Sequence, residues 1–130
     1  MFDNNVFKKD SCRNTVVDGK ITGFELETFI TYYRAIPLSM VNDISVKVDG
    51  VVVPRENIRC SAEGEDWFTL DEMETVTTYK WEYDVSLKIR VLQEGGLPKG
   101  EHEVELTVIT RTAYIPIPIK GVNSRKVVID

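Results

Sequence analysis

The side chains of this chain alternate with a period of two over most of its length. Phe24, Leu26, Thr28, Ile30 and Tyr32 alternate with Glu25, Glu27, Phe29, Thr31 and Tyr33. Ile44, Val46 and Val48 alternate with Ser45, Lys47 and Asp49. Val85, Leu87, Ile89 and Val91 alternate with Ser86, Lys88 and Arg90. Val104, Leu106 and Val108 alternate with Glu103, Glu105 and Thr107. A strand turns successive side chains to opposite faces, so each run codes for one buried and one wetted face. Antiparallel sheets read this way, whereas parallel sheets, buried on both faces, read as continuous apolar runs. Phe29 and Tyr33 put aromatics on the wet side of the first run, which predicts that this face is covered near its far end.

Turn chemistry agrees. Asp49-Gly50 lies between alternating residues, as does Asp18-Gly19, and both central residues of a type I′ hairpin turn need positive φ. Pro54 closes the first hairpin, since proline cannot donate to a ladder. Gly95-Gly96-Leu97-Pro98-Lys99-Gly100 separates two further runs, which are expected to be antiparallel neighbours. Thr69-Leu70-Asp71-Glu72 is a capping box and predicts one or two helical turns over residues 70–74. The fold class read here is all-β: an antiparallel β-sandwich, jelly-roll-like or Ig-like, with one short helical turn. The 130 residues contain neither a repeat nor a linker tract, so residues 1–130 are read as a single domain.

Several functions fit poorly. A formal charge of −5 without a basic run disfavours nucleic acid and anionic membranes as partners. No apolar stretch approaches the roughly 20 residues of a membrane helix. The N-terminus has no apolar core of a signal peptide. Cys12 and Cys60 form no close pair and read as reduced thiols, so a cytoplasmic location is expected. The single histidine, His102, shares parity with Val104 and reads as a core-edge residue bonded to a loop carbonyl. A metal site needs convergent donors, and no such spacing occurs. Glu63, Glu65, Asp66, Asp71, Glu72 and Glu74 surround Trp67 and Phe68; a carboxylate pair could act on a sugar, but a solvated loop with a helix cap explains the cluster as well. Neither Ser39 nor Ser61 lies in a nucleophile elbow. No catalytic residue is assigned.

Aromatics and arginines say more. Tyr32, Tyr33 and Arg34 end the first run, and Trp81 and Tyr114 precede other runs. Such side chains form interface hot spots. Ile115, Pro116, Ile117, Pro118 and Ile119 follow Tyr114. Prolines at alternate positions remove ladder donors along one edge, so the segment caps a sheet or lies against a partner. The candidates for a partner interface or pocket are therefore Tyr32, Tyr33, Arg34, Trp81, Tyr114, Ile115, Pro116, Ile117 and Pro118.

The segments Tyr33-Arg34, Leu38-Ser39-Met40-Val41, Val46-Lys47-Val48-Asp49-Gly50 and Val53-Pro54-Arg55-Glu56 form an ordered series. It continues through Thr69-Leu70-Asp71-Glu72-Met73-Glu74-Thr75, Trp81-Glu82-Tyr83, Gly100-Glu101-His102-Glu103-Val104-Glu105-Leu106 and Tyr114-Ile115-Pro116-Ile117-Pro118. Together they resemble the small β subunit of bacterial C-glycoside deglycosidases across roughly residues 18 to 119, the run from Leu70 to Thr75 being the most distinctive. The resemblance implies a C–C lyase built from two subunits. Its α subunit would be a TIM barrel holding the catalytic base and a divalent metal, expected to be manganese, with no cofactor in this chain. The substrate class would be 3-oxo-C-glucosides of flavonoids and other polyphenols. The 3-oxo group acidifies the proton at C2; base removal gives an enediolate that a metal stabilises, and the bond from the anomeric carbon to the ring breaks by elimination. The β subunit would support assembly, order α-subunit loops and supply a wall of the aglycone pocket.

Two other readings compete. A non-catalytic carbohydrate-binding β-sandwich would use the same aromatics; it should behave as a monomer, whereas a β subunit should self-associate or be poorly soluble alone. A stand-alone enzyme using His102 and the acidic cluster would need activity from this chain by itself.

Overall fold

The alternating runs form strands, and their apolar sides face each other. The computed structural model describes residues 5–30, 36–62, 66–73, 80–81, 85–112 and 115–129. Eleven strands are seen among them: β1 (Arg13–Val17), β2 (Lys20–Thr28), β3 (Ile36–Pro37), β4 (Val41–Val48), β5 (Val51–Val52), β6 (Ile58–Ser61), β7 (Phe68–Thr69), β8 (Lys80–Trp81), β9 (Leu87–Leu92), β10 (Gly100–Thr112) and β11 (Ile115–Ile129). One sheet has the order β1-β2-β9-β6-β7, the other β11-β10-β4-β5, and β3 pairs with β8 alone. All pairings are antiparallel. The all-β sandwich expected from the alternation is thus present. Phe24, Leu26, Ile58, Leu87, Ile89 and Val91 of the first sheet share a core with Ile44, Val46, Val104, Leu106 and Val108 of the second. Each is at most 1% exposed, which at about 25 cal/mol per Å² makes this contact the main source of stability.

Both Asp-Gly turns are type I′. Asp18 and Gly19 have φ of 51° and 79°, and Asp49 and Gly50 have 48° and 87°. The capping box also forms: Thr69 N–H donates to Glu72 Oε1 at 2.8 Å, and Glu72 N–H to Thr69 Oγ1 at 3.1 Å. It starts the single turn α1 (Leu70–Met73).

The glycine-rich link after β9 departs from expectation. β9 and β10 are not neighbours; they lie in different sheets. Leu97, 2% exposed, belongs to the core. Asn14 on β1 holds its backbone twice, accepting from Leu97 N–H at 2.7 Å and donating to Leu97 O at 3.0 Å. Gly95, Gly96 and Gly100 all have positive φ. The link is therefore drawn over the end of the core, and β10 can lay its apolar face against that of β9.

Two elements carry no periodic signal. β11 continues to Ile129 although its inward positions include Asn123 and Arg125, partners of Leu106 and Val104. Polar side chains are tolerated there because the N-terminal segment supplies acceptors. Asn123 Nδ2 donates to Val6 O at 3.1 Å and Arg125 Nε to Phe7 O at 2.6 Å. Val6 and Phe7 are themselves core residues, and Phe7 holds a φ of 64°, unusual for an aromatic. On β9, Val85 falls outside the strand and is 43% exposed.

Gly23 of β2 sits so close to β9 that a Cβ there would fall on the carbonyl oxygen of Val91. Gly23→Ala is expected to cost more than about 2 kcal/mol, because backbone must move in the middle of a sheet. Denaturant unfolding checks this; a loss within about 0.5 kcal/mol of wild type would show that the two strands are free to separate.

Candidate functional site

The ends of the sandwich differ. One is closed by the two Asp-Gly hairpins and the β9–β10 link. At the other, Thr28 pairs with Leu87, Ser61 with Lys88, Val41 with Thr110 and Thr112 with Ile115. Ile30, Ile36, Ala62, Trp81, Thr112 and Ile115 flank connections on this side. Tyr32, Tyr33, Arg34 and Tyr114 lie outside the described residues. Ile115, Pro116, Ile117 and Pro118 begin β11, an edge strand of its sheet, as the alternate prolines require. Pro118 is exposed and Ile119 packs partly against the core.

Trp81, one of the interface or pocket candidates, lies inside the fold. Its side chain is 1% exposed, and its indole N–H donates to Val85 O at 3.0 Å. β8 holds it against Ile36. A tryptophan so enclosed works as packing, and in this conformation it presents no surface to a partner.

Two described members of the acidic cluster, Asp71 and Glu72, are engaged by local partners. Asp71 is 2.7 Å from Arg55, which also lies 3.5 Å from Asp43. Glu72 is taken by the helix cap, and hydrogen bonds from Thr69 lower its pKa. Glu63, Glu65 and Glu74 lie outside the described residues. Trp67 has its ring under the guanidinium of Arg90, 4.2 Å from centroid to carbon. Cys12 and Cys60 are free thiols. Burial pushes each up to about 12, aided at Cys12 by the charge of Glu25, so neither is a nucleophile near neutrality. No group of three or more His, Cys, Asp or Glu among the described residues is placed to hold a metal ion. No helix among them is long and apolar enough to cross a membrane.

His102 meets the loop carbonyl expected of it and one partner that the sequence did not reveal. Nε2 lies 2.7 Å from Pro98 O, and Nδ1 lies 2.7 Å from Asp49 Oδ2. A carbonyl only accepts, so Nε2 carries hydrogen; a carboxylate only accepts, so Nδ1 carries one as well. The arrangement therefore selects the imidazolium. The bonds to Asp49 and Pro98 raise the pKa of His102, and those from His102 and Glu103 N–H lower that of Asp49. Asp49 Oδ1 accepts from Glu103 N–H at 2.8 Å. This clamp ties the β4–β5 turn to β10 and to the β9–β10 link. Only the Asp-Gly signal marked Asp49, and it spoke of backbone conformation, not of a side-chain partner 53 residues away.

The fold is a two-sheet sandwich whose edge strand β11 carries Pro116 and Pro118 near its start. The family model described as C-glycoside deglycosidase beta subunit matches residues 2–114. The C-glycoside deglycosidase beta subunit of Eubacterium cellulosolvens is 28% identical over 99 residues, covering 76% of this chain and 67% of that protein. The 3'-dehydrocarminate deglycosidase beta subunit of a Microbacterium species is 29% identical over 125 residues, covering 95% and 88%. The C-glycoside deglycosidase beta subunit of Arthrobacter globiformis is 27% identical over 107 residues, covering 79% of each. The chain belongs to the C-glycoside deglycosidase beta subunit family.

Trp81→Ala should cost roughly 3–5 kcal/mol, the loss of a buried aromatic. Thr69→Ala should cost only about 1 kcal/mol through the lost cap. Thermal melts of the two variants test this ordering, and a Trp81 variant as stable as the Thr69 variant would return the indole to the surface. The clamp predicts a second behaviour. His102 has a raised pKa when folded, so its contribution is full below the unfolded value of 6.5 and fades as pH rises through the folded value. Asp49, lowered from 3.8, contributes above that value and loses its contribution as pH falls through the folded one. The clamp is complete between these limits. With a single histidine, an NMR titration reads it directly. The midpoint should lie above 6.5 and move down in Asp49→Asn; a midpoint unchanged by that substitution would dissolve the pair.

Proposed function

We propose that this chain is the β subunit of a C-glycoside deglycosidase built from two kinds of chain. The enzyme would cleave the carbon–carbon bond between the anomeric carbon of a 3-oxo-glucose and an aromatic aglycone. The family match over residues 2–114 is the observation that carries this reading. The Microbacterium relative supports the oxidised sugar, since its name places it with a 3'-dehydro substrate. The catalytic base and a divalent metal belong to a TIM-barrel α subunit in this proposal. This chain alone is inactive, and its place is the cytoplasm. Its own residues provide assembly and one wall of the aglycone pocket.

The end of the sandwich flanked by Ile30, Ile36, Thr112 and Ile115 is the favoured pocket side. Tyr32, Tyr33, Arg34 and Tyr114 remain pocket candidates by residue type, since aromatic faces can stack on a polyphenol and a guanidinium can meet phenolate oxygen.

Co-expression with an α subunit tests the proposal. The two chains should elute together by size exclusion, with an interface above roughly 1,000 Å² in total. Cleavage of a 3-oxo-C-glucoside should require both chains. Two folded partners that elute apart, turnover by this chain alone, or about one tightly held Mn²⁺ per isolated chain would each overturn it.

A further inference from the structure

The two acceptors around His102 make competing demands on it once a proton is lost. The imidazolium fills both contacts, Nδ1–H to Asp49 Oδ2 and Nε2–H to Pro98 O, each at 2.7 Å. Neutral imidazole has one N–H and one lone pair. It satisfies one acceptor, and its lone pair then faces the oxygen of the other. The side chain is 11% exposed, so water has little room to come between them. One of the two partners must therefore move away.

Asp49 is the partner that stays. A hydrogen bond to a carboxylate is roughly twice as strong as one between neutral groups. Asp49 is also fixed from β10: its Oδ1 accepts from Glu103 N–H at 2.8 Å, and its own N–H donates to Glu103 O at 2.8 Å. Pro98 is placed to yield. Pro98, Lys99 and Gly100 are exposed, and Gly100, with a φ of 119°, has open space where a Cβ would stand. Asn14 pins the chain at Leu97, and pairing resumes at Gly100 opposite Ile129. Between those points the chain forms a corner with room to swing.

The other charged groups nearby do not alter this choice. Glu101 and Glu103 flank His102 on β10 with the opposite parity. On β11, Arg125 turns to Phe7 O and Lys126 meets Glu101 at 3.6 Å. Lys47 on β4 and Glu94 and Lys99 on the link are exposed. Asp49 is the charged group that acts on the ring.

We infer that His102 is a proton-operated latch: loss of its proton frees the corner at residues 98–100, where the chain crosses between the two sheets, while the β4–β5 turn keeps its hold on β10. The inference stands apart from the subunit reading, since every contact in it lies within this chain. Its direction follows from the bonds to Asp49 and Pro98. They raise the pKa of His102 above 6.5, so the latch is closed below that value and opens as pH rises through the folded one. Asp49, lowered from 3.8, stays charged throughout the opening.

The test is backbone ¹⁵N relaxation of the whole chain between about pH 5 and pH 9, read beside the titration of the His102 ring. In the wild-type chain the order parameters of the Lys99 and Gly100 amides should fall from about 0.85 towards about 0.6, with the midpoint of the ring. The amides of Asp49 and Gly50 should stay ordered. Asp49→Asn gives the contrast that a merely structural role would not produce. The asparagine amide can donate to Nδ1 while its oxygen keeps Glu103 N–H, so the neutral ring can hold Nε2–H on Pro98 O. In that variant the ring should titrate and the corner should remain ordered on both sides of the midpoint. His102→Gln, which removes the only histidine, should abolish the step at residues 99 and 100 altogether. Melts at each pH show that the chains are folded. A wild-type corner that stays ordered as the ring titrates overturns the inference. So does a step of the same size in Asp49→Asn, or a turn at Asp49 that loosens in place of the corner.

Discussion

Contact between the two alternating apolar faces governs this structure. Phe24, Leu26, Ile89 and Val91 on one sheet can leave water only by meeting Ile44, Val46, Leu106 and Val108 on the other. That demand explains the path of the chain. After β9 the polypeptide must change layers, because β10 has the same need for cover. Leu97 is the plug that draws the link across, and Asn14 satisfies its backbone on the way. The same demand explains the N-terminal segment, whose Val6 and Phe7 close the core beside β11 and whose carbonyls let Asn123 and Arg125 point inward.

Once the layers are closed, polar chemistry is left to the periphery, where it divides by place. At the end of the hairpin turns, Asp49 and His102 make a charged clamp whose two acceptors hold the imidazole protonated. On the outer face of the five-stranded sheet, carboxylates are sunk beneath cations. The buried thiols are silenced by desolvation. The described residues thus form a closed apolar core with charged margins.

Much of the sandwich was legible in residue order alone. The runs around Phe24, Ile44, Ile89 and Leu106 named their own buried faces, and Asp18-Gly19 and Asp49-Gly50 named their turns. Thr69 and Glu72 named the helix start. These signals are local: a side chain's parity or a turn's φ is set by neighbours two or three residues away. β11 beyond Ile119 was not legible, since Asn123 and Arg125 break the apolar period and their partners lie more than a hundred residues away. Trp81 shows the same limit from the other side. An aromatic before a strand reads equally as anchor or rim, and only burial among residues from distant segments decides between them.

The sequence by itself determined the fold class, the hairpins, the cap and the family, because all of these are written in residue type at fixed spacing. Tertiary structure alone decided which strands are neighbours, that β9 and β10 part into separate layers, and that His102 finds Asp49. It also decided that Arg13, Glu25, Arg90 and Arg59 fall into one row. Those facts depend on register between strands far apart in the chain. Register is set by the cooperative burial of whole faces, so no short window of sequence contains it.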